Sequence, residues 1–263
     1  MSTKPADLTG PTYWDSWWKS DVPLDDPLRE HWVDFGSRGF VLRAIERHVG
    51  SLTGRSVAEL GGAFSNTLLA MAKWRGVKAT AIDYSREGLA RTNKMFAHNG
   101  CEVELIYSDF FAPELIDRQF DVVTHWGVLE HQPDPLPLIR RSIELTKPGG
   151  FVVFSMPQMR GPGAWLWRKL SPKRLGFHIY HSDEAIMRCF EQCGAKVKRA
   201  FWGPPFLHMN PCETDNIIAR FLATSQFYAT QAGKLFPYHF GVPYLSQVRA
   251  FVAQVPITPQ LHS

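Results

Sequence analysis

Glu59-Leu60-Gly61-Gly62-Ala63-Phe64-Ser65-Asn66 joins an acidic residue to a run of small ones. Small residues let a backbone turn tightly and let a ligand approach the peptide units, and Ser65 or Asn66 can cap a helix that follows. Asp83 stands 22 positions beyond Gly61. A carboxylate there can accept hydrogen bonds from both hydroxyls of a ribose, the logic of nucleotide-cofactor sites in general. NAD and S-adenosylmethionine are both open at this point. Ser108-Asp109-Phe110 adds a second carboxylate and an aromatic ring, able to accept from the exocyclic amine of adenine and to pack on its face. Taken singly, a glycine-rich turn or a strand-end aspartate serves packing as readily as binding. Joined in this order, they point to a nucleotide.

The elements that must position these residues read as an alternation. Strand-like runs cover Val57–Leu60, Val77–Ile82, Val103–Tyr107, Phe120–Thr124 and Phe151–Ser155. Helical spacing covers Thr67–Trp74, Arg86–Asn99 and the stretch from after Asp134 through Leu145. Lys147-Pro148-Gly149-Gly150 reads as a turn into the fifth strand. This order predicts an α/β fold, a doubly wound parallel sheet with helices on both faces. Ligands bind such sheets at the carboxyl ends of the strands, where the acidic residues lie. Before the alternation comes an aromatic leader (Tyr13, Trp14, Trp17, Trp18) and a helix expected from Leu28 to about His48. After it, residues 158–180 are basic and broken by Gly and Pro. A helix Ser182–Cys193, a strand Lys196–Trp202, a helix Thr214–Ala232 and a last edge strand Val248–Val255 are expected beyond.

With 263 residues, 44% of them hydrophobic and 21% charged, the chain has the composition of an ordinary globular protein. The net charge of +4 is too mild to argue for nucleic acid. No apolar run approaches the roughly 20 residues of a membrane span, and no secretory signal is expected from the first residues. Cys101, Cys189, Cys193 and Cys212 follow no metal-site spacing. Reduced thiols, a cytoplasmic location and no metal are the expectation.

The ordered set from Glu59 through Glu130-His131 to Lys147-Pro148-Gly149-Gly150 resembles the class I S-adenosylmethionine-dependent methyltransferases, and most of all their small-molecule branch, which includes ubiquinone-pathway enzymes. The likeness covers about 57–157 closely. It implies a seven-stranded Rossmann-like sheet, with residues 1–50 as a leader or lid and 51–263 as the catalytic domain, segments 158–180 and 204–245 covering the acceptor. It implies that Glu59 and Gly61, with Gly62 and Ala63, hold the methionine end of the cofactor, Asp83 with Tyr84 the ribose, and Ser108, Asp109 and Phe110 the adenine. His125 and Trp126 would face its methyl-bearing side. Ala63 and Ser65 depart from the family pattern, which has glycines in those places.

Methyl transfer from a sulfonium is an in-line displacement whose reactivity the cofactor supplies. An oxygen or nitrogen acceptor can also need a base, and the candidates are His131, His125, His178 and His181. Eight of the nine tryptophans lie outside the scaffold helices: Trp14, Trp17, Trp18, Trp32, Trp126, Trp165, Trp167 and Trp202. This placement suits an enclosed apolar or aromatic small-molecule acceptor, and equally suits anchoring of the extra segments. Arg160, Arg168, Lys169, Lys173 and Arg174, with no acid among residues 160–174, form either a solvated loop or a contact to a membrane or anionic ligand. A nucleic-acid substrate is not expected, because Thr124-His125-Trp126-Gly127 lacks the Asn-Pro-Pro-Tyr type of sequence used on extruded bases. The competing readings are a nicotinamide-dependent oxidoreductase and a methyltransferase-like module without catalysis.

Overall fold

The computed structural model describes residues 9–19, 37–115, 117–161, 164–165, 168–169, 178–202, 216–218, 220–222, 224–225 and 248–257. Seven strands form one sheet: β1 Ser56–Leu60, β2 Lys78–Asp83, β3 Glu104–Tyr107, β4 Phe120–Trp126, β5 Thr146–Pro157, β6 Lys196–Trp202 and β7 Val248–Gln254. Their order is β3-β2-β1-β4-β5-β7-β6. The first five are parallel, and β7 runs antiparallel to both neighbours. The order in which strands are added therefore switches sides between β1 and β4, the crevice in which such sheets bind ligands.

Alternating residues feed two cores, as the period of a strand requires. Val57, Val122, Val153 and Val252 face α2 (Ser37–Val49), α3 (Asn66–Arg75) and α4 (Arg86–His98), against Leu42, Ile45, Leu68, Leu69 and Phe96. Ala58, Val123, Val152, Phe154 and Phe251 face α5 (Pro135–Glu144) and α6 (Asp183–Gln192), against Leu138, Ile139, Ile186 and Phe190. Both faces of the sheet are covered, which is why its strands are rich in Val, Ile and Ala throughout. Helix starts follow the sequence. Ser65, Ser85, Asp134 and Ser182 each cap a helix by accepting a backbone N–H, from Leu68, Gly88, Leu136 and Ala185.

Two expectations change, and two others fall partly outside the described residues. The segment Val248–Val255, expected at the edge, inserts between β5 and β6, so β6 is the edge strand. Lys147-Pro148-Gly149-Gly150 is not a turn before β5 but a bulge within it. Phe120 pairs with Thr146 and Val122 already with Phe151. A side chain at Gly150 would meet Asp121 O at 2.8 Å, so the bulge closes only over a glycine. The helix expected from Leu28 begins, among described residues, at Ser37; residues 28–36 lie outside them. Of the helix Thr214–Ala232, Asn216 is described and not helical, the described residues between 217 and 225 are helical, and the rest lie outside.

A short leader helix, α1 (Pro11–Trp18), packs on α4. Asp15 Oδ1 accepts from the Ser85 hydroxyl at 2.6 Å, and Arg91 donates to Trp18 O at 2.7 Å. Among described residues, no helix is long and apolar enough to cross a membrane.

Candidate active site

The carboxyl ends of β1, β2 and β3 and the turns that follow them open on one cavity of about 340 Å³. Glu59 stands at the end of β1, only 2% exposed. Its Oε2 accepts from the Ser65 hydroxyl at 2.8 Å, while Ser65 Oγ accepts from Leu68 N at 3.1 Å. One serine thus caps α3 and fixes the acid, which gives a physical reason for a serine in a family glycine position. Burial pushes the Glu59 carboxyl up to about 8, with neighbouring Asp83 adding to the shift and the Ser65 hydrogen bond opposing it.

Gly61 and Gly62 turn the chain out of β1. Both N–H groups donate to Ile82 O, and Gly61 has φ +70° with Val128 so near that a Cβ would lie 2.8 Å from its methyl group. Phe64 holds φ +53°, a costly conformation for an aromatic residue. Its N–H donates to Thr92 Oγ1 at 2.7 Å, and its ring lies under the Arg91 guanidinium at 4.9 Å and beside Trp18 at 5.9 Å.

Asp83 ends β2 and braces this turn. Its Oδ2 accepts from Ala63 N at 3.1 Å and its Oδ1 from Ser85 N at 2.7 Å. Burial raises its pKa to about 6, against the pull of those amides. A carboxylate has about four acceptor positions, so the two amides leave capacity for hydroxyl donors. Tyr84 borders the cavity with its hydroxyl donating to Thr9 O at 2.8 Å, a second tie to the leader. Trp14 and Trp18 close the cavity from α1, whereas Tyr13 and Trp17 are exposed on its far side.

Of the residues the resemblance singled out, Glu59, Gly61, Ala63, Asp83, Tyr84, Phe110, Trp126 and His131 border this cavity. Gly62 acts through its backbone. Ser108 and Asp109 are turned to local contacts: Ser108 Oγ donates to Glu114 Oε1 at 3.0 Å, and Asp109 Oδ1 accepts from Phe111 N at 3.0 Å.

The four histidines part company. His131, in a 3-10 turn over Leu129–His131, meets Trp14 edge-on at 5.7 Å and His178 at 5.0 Å. His181 is buried and bonds Gln132 O through Nε2 at 2.9 Å; a carbonyl only accepts, so that nitrogen carries the proton. Its pKa is lowered by burial. His125 does not face the cavity. Strand β4 extends to Trp126, and the alternation along it turns His125 into the opposite core, stacked on Phe154 at 4.6 Å with neither ring nitrogen bonded among described residues. Burial drives its pKa down to about 3.

The consequence for His125 is a matter of stability. The folded state keeps this ring neutral while the unfolded chain protonates it below about 6.5, so stability falls with pH over the window from about 6.5 to 3, by about 1.4 kcal/mol per unit. His125→Phe should remove that slope and, by removing two unpaired buried nitrogens, add ~1–3 kcal/mol at neutral pH. Urea unfolding at pH 5 and pH 7.5 measures both. Equal acid sensitivity in the two proteins would refute the assignment.

Sequence reasoning missed Gln132, Val128, Phe64 and Thr9 in the cavity wall, and it missed the state of Glu130. That residue is buried, its carboxyl is raised to about 8 by burial, and its Oε2 has no partner among described residues. Glu130, His131 and His178 each bring one donor atom within 4.8 Å of the others.

Residues 30–199 match a family of methyltransferase domains. The chain belongs to that family. A ubiquinone biosynthesis O-methyltransferase of Pseudomonas putida is 37% identical over 159 residues, covering 57% of this chain and 61% of that protein. The chain thus spans less than two thirds of the length of such relatives. Among solved structures, YcgJ of Bacillus subtilis superposes with a TM-score of 0.58 at 14% identity, over 84% of this chain and 98% of its own. Coclaurine N-methyltransferase bound to N-methylheliamine and S-adenosylhomocysteine superposes with a TM-score of 0.55 at 13% identity, over 82% and 72%. These two likenesses speak to the fold of the methyltransferase domain. The nicotinamide-dependent alternative finds no support among them.

Proposed function

We propose that this chain moves the methyl group of S-adenosylmethionine to an oxygen of a small apolar or aromatic acceptor. The observation that carries the reading is the convergence of Glu59, Asp83 and Phe110, from the ends of three successive strands, on one cavity roofed by Trp14 and Trp18. The residues fit the cofactor on independent grounds. Two buried carboxyls held up near 6 and 8 call for a cation and hydroxyl donors. Gln132 Oε1, from a residue that borders the cavity, is buried with no partner among described residues.

When bound, S-adenosylmethionine supplies a methyl group on a positively charged sulfur, open to attack in line. The protein's part is to bind, orient and keep dry. Glu59 receives the cationic methionine end, which draws its proton off. Asp83 accepts from the ribose, and Phe110 lies against the adenine; the role of Asp109 there rests on the resemblance. Trp14 and Trp18 exclude water and present an aromatic surface to the acceptor. His131 takes the acceptor's hydroxyl proton, with His178 beside it to share the charge. His125 and His181 have no part in this step. Oxygen is favoured by the named activity of the 37%-identical relative.

In this reading residues 1–50 act as a lid on a domain of residues 51–263, and the location is cytoplasmic, in keeping with Cys101, Cys189 and Cys193 as free thiols. Contact of 160–174 with an anionic surface would rest chiefly on Lys169 among described residues. Arg168 is bonded to Met159 O at 2.6 Å and Arg160 lies over Tyr180 at 4.4 Å. Among described residues, the exposure of Trp165, at 59%, favours it.

The test is release of S-adenosylhomocysteine from S-adenosylmethionine in the presence of a panel of hydroxylated aromatic acceptors. Product formed only with acceptor present is expected. A protein that binds S-adenosylmethionine yet turns over none of the panel would contradict oxygen transfer to this class.

A further inference from the structure

Arg249 is a buried cation that the reading above does not use. It lies on β7, opposite Met156 of β5 and Trp202 of β6, and is 2% exposed. Burying a guanidinium is costly unless its donors are met. Nη1 donates to Asp183 Oδ1 at 2.6 Å, and Nη2 donates to His181 O at 2.8 Å and lies 3.2 Å from Met156 Sδ. The Tyr180 ring lies 4.8 Å from its guanidinium and 4.4 Å from that of Arg160. Nε is left without a partner among described residues. Arg249 does not border the cavity.

What it grips is the segment 178–182, which has no regular secondary structure to fix its own path. Three bonds do so instead. Arg249 ties His181 O to the sheet. His181 Nε2 bonds Gln132 O, and Ile179 N donates to Glu130 O at 2.7 Å. The last two bind the segment to the 129–132 turn, and the result is His178 at 5.0 Å from His131 on the cavity wall.

We propose that Arg249 is a positioning residue: by holding His181 O and the Asp183 carboxylate at once, it sets the 178–182 segment against the 129–132 turn and so places His178 beside His131. An arginine is needed because its planar fork reaches a carbonyl and a carboxylate together, whereas the ammonium of lysine is a single point charge on a flexible stem. The relevance of this placement to catalysis rests on the reading of His131 and His178 given above, but its test needs neither acceptor nor turnover.

The experiment follows the histidine ring resonances of the full chain by NMR. In the parent protein His178→Gln should shift the His131 ring signals, because it removes the aromatic neighbour at 5.0 Å. In an Arg249→Lys background the same His178→Gln change should leave them where they are. Affinity for S-adenosylhomocysteine in Arg249→Lys, measured by calorimetry, should match the parent, since Arg249 lies off the cavity. An equal His131 response in both backgrounds overturns the proposal, and so does loss of S-adenosylhomocysteine binding in folded Arg249→Lys, which would mark a general structural role. Should Arg249→Lys fail to fold, Asp183→Asn decides: a diminished His131 response supports the proposal and an undiminished one overturns it.

Discussion

Asp83→Ala is expected to weaken binding of S-adenosylhomocysteine by roughly 10- to 150-fold, the equivalent of ~1.5–3 kcal/mol for hydrogen bonds to a charged group. Two losses combine. The ribose hydroxyls lose their acceptor, and the Ala63 and Ser85 amides lose theirs, which loosens the turn that shapes the cavity. Asp83→Asn separates the two, because its side-chain oxygen keeps one acceptor without the charge; its loss should be smaller than that of the alanine variant. The acid also predicts a pH dependence. Its pKa of about 6 lies above the ordinary value of 3.8, so lowering the pH through 6 protonates the group that must accept from the ribose, and affinity falls. Above pH 7 this contribution is flat, and in Asp83→Asn it is absent. Calorimetric titration between pH 5 and pH 8 measures all three proteins. Unchanged affinity in a folded Asp83→Ala protein would remove Asp83 from the site.

Deleting residues 1–20 should leave the sheet folded and reduce turnover by at least ~100-fold, the scale of loss when a reactive geometry is no longer held or kept dry. None of the buried hydrophobic residues of the described core precedes Leu42, so the two cores keep their members. The cavity does not keep its wall. Trp14 and Trp18 leave, Ser85 loses Asp15, and Arg91 loses the Trp18 carbonyl while Phe64, at its costly φ, loses a ring beside it. Cofactor in the intact protein should protect the leader from trypsin, because the bound ligand gives those indoles a further surface to close on. Circular dichroism, limited digestion with and without S-adenosylhomocysteine, and turnover of the truncated chain decide the matter. Full activity after truncation would end the lid reading. An insoluble product would make the tryptophans anchors of the fold.

The sequence was most legible where local rules and tertiary demands agree. Val57–Leu60, the glycine turn and the Ser-capped helices follow from strand alternation and capping, and Asp83 falls at the mouth of the cavity because a parallel strand ends there. It was least legible where a side chain's direction depends on one residue of strand length. Taking β4 to end at Thr124 placed His125 beside the cofactor, and two more residues of strand turned it into the core. The strand at Val248–Val255 was foreseen but not its place between β5 and β6, because its apolar texture suits an edge or an interior position equally well. Nothing local marks Gln132, Glu130 or Arg249 as partners of the 178–182 segment, since those contacts join residues 49 to 68 positions apart. Among the leader's aromatic residues, the helical turn decides that Trp14 and Trp18, four apart on one face, meet the cavity while Tyr13 and Trp17 meet solvent.

The most direct measurement is a crystal structure with S-adenosylhomocysteine. The ligand should lie in the cavity under Trp14 and Trp18, with its ribose hydroxyls on the Asp83 carboxylate, its adenine against Phe110, its amino-acid end at Glu59 and its sulfur on the His131 side. Ligand bound elsewhere, or bound in the cavity with no ribose contact to Asp83, would contradict the assignment of this site.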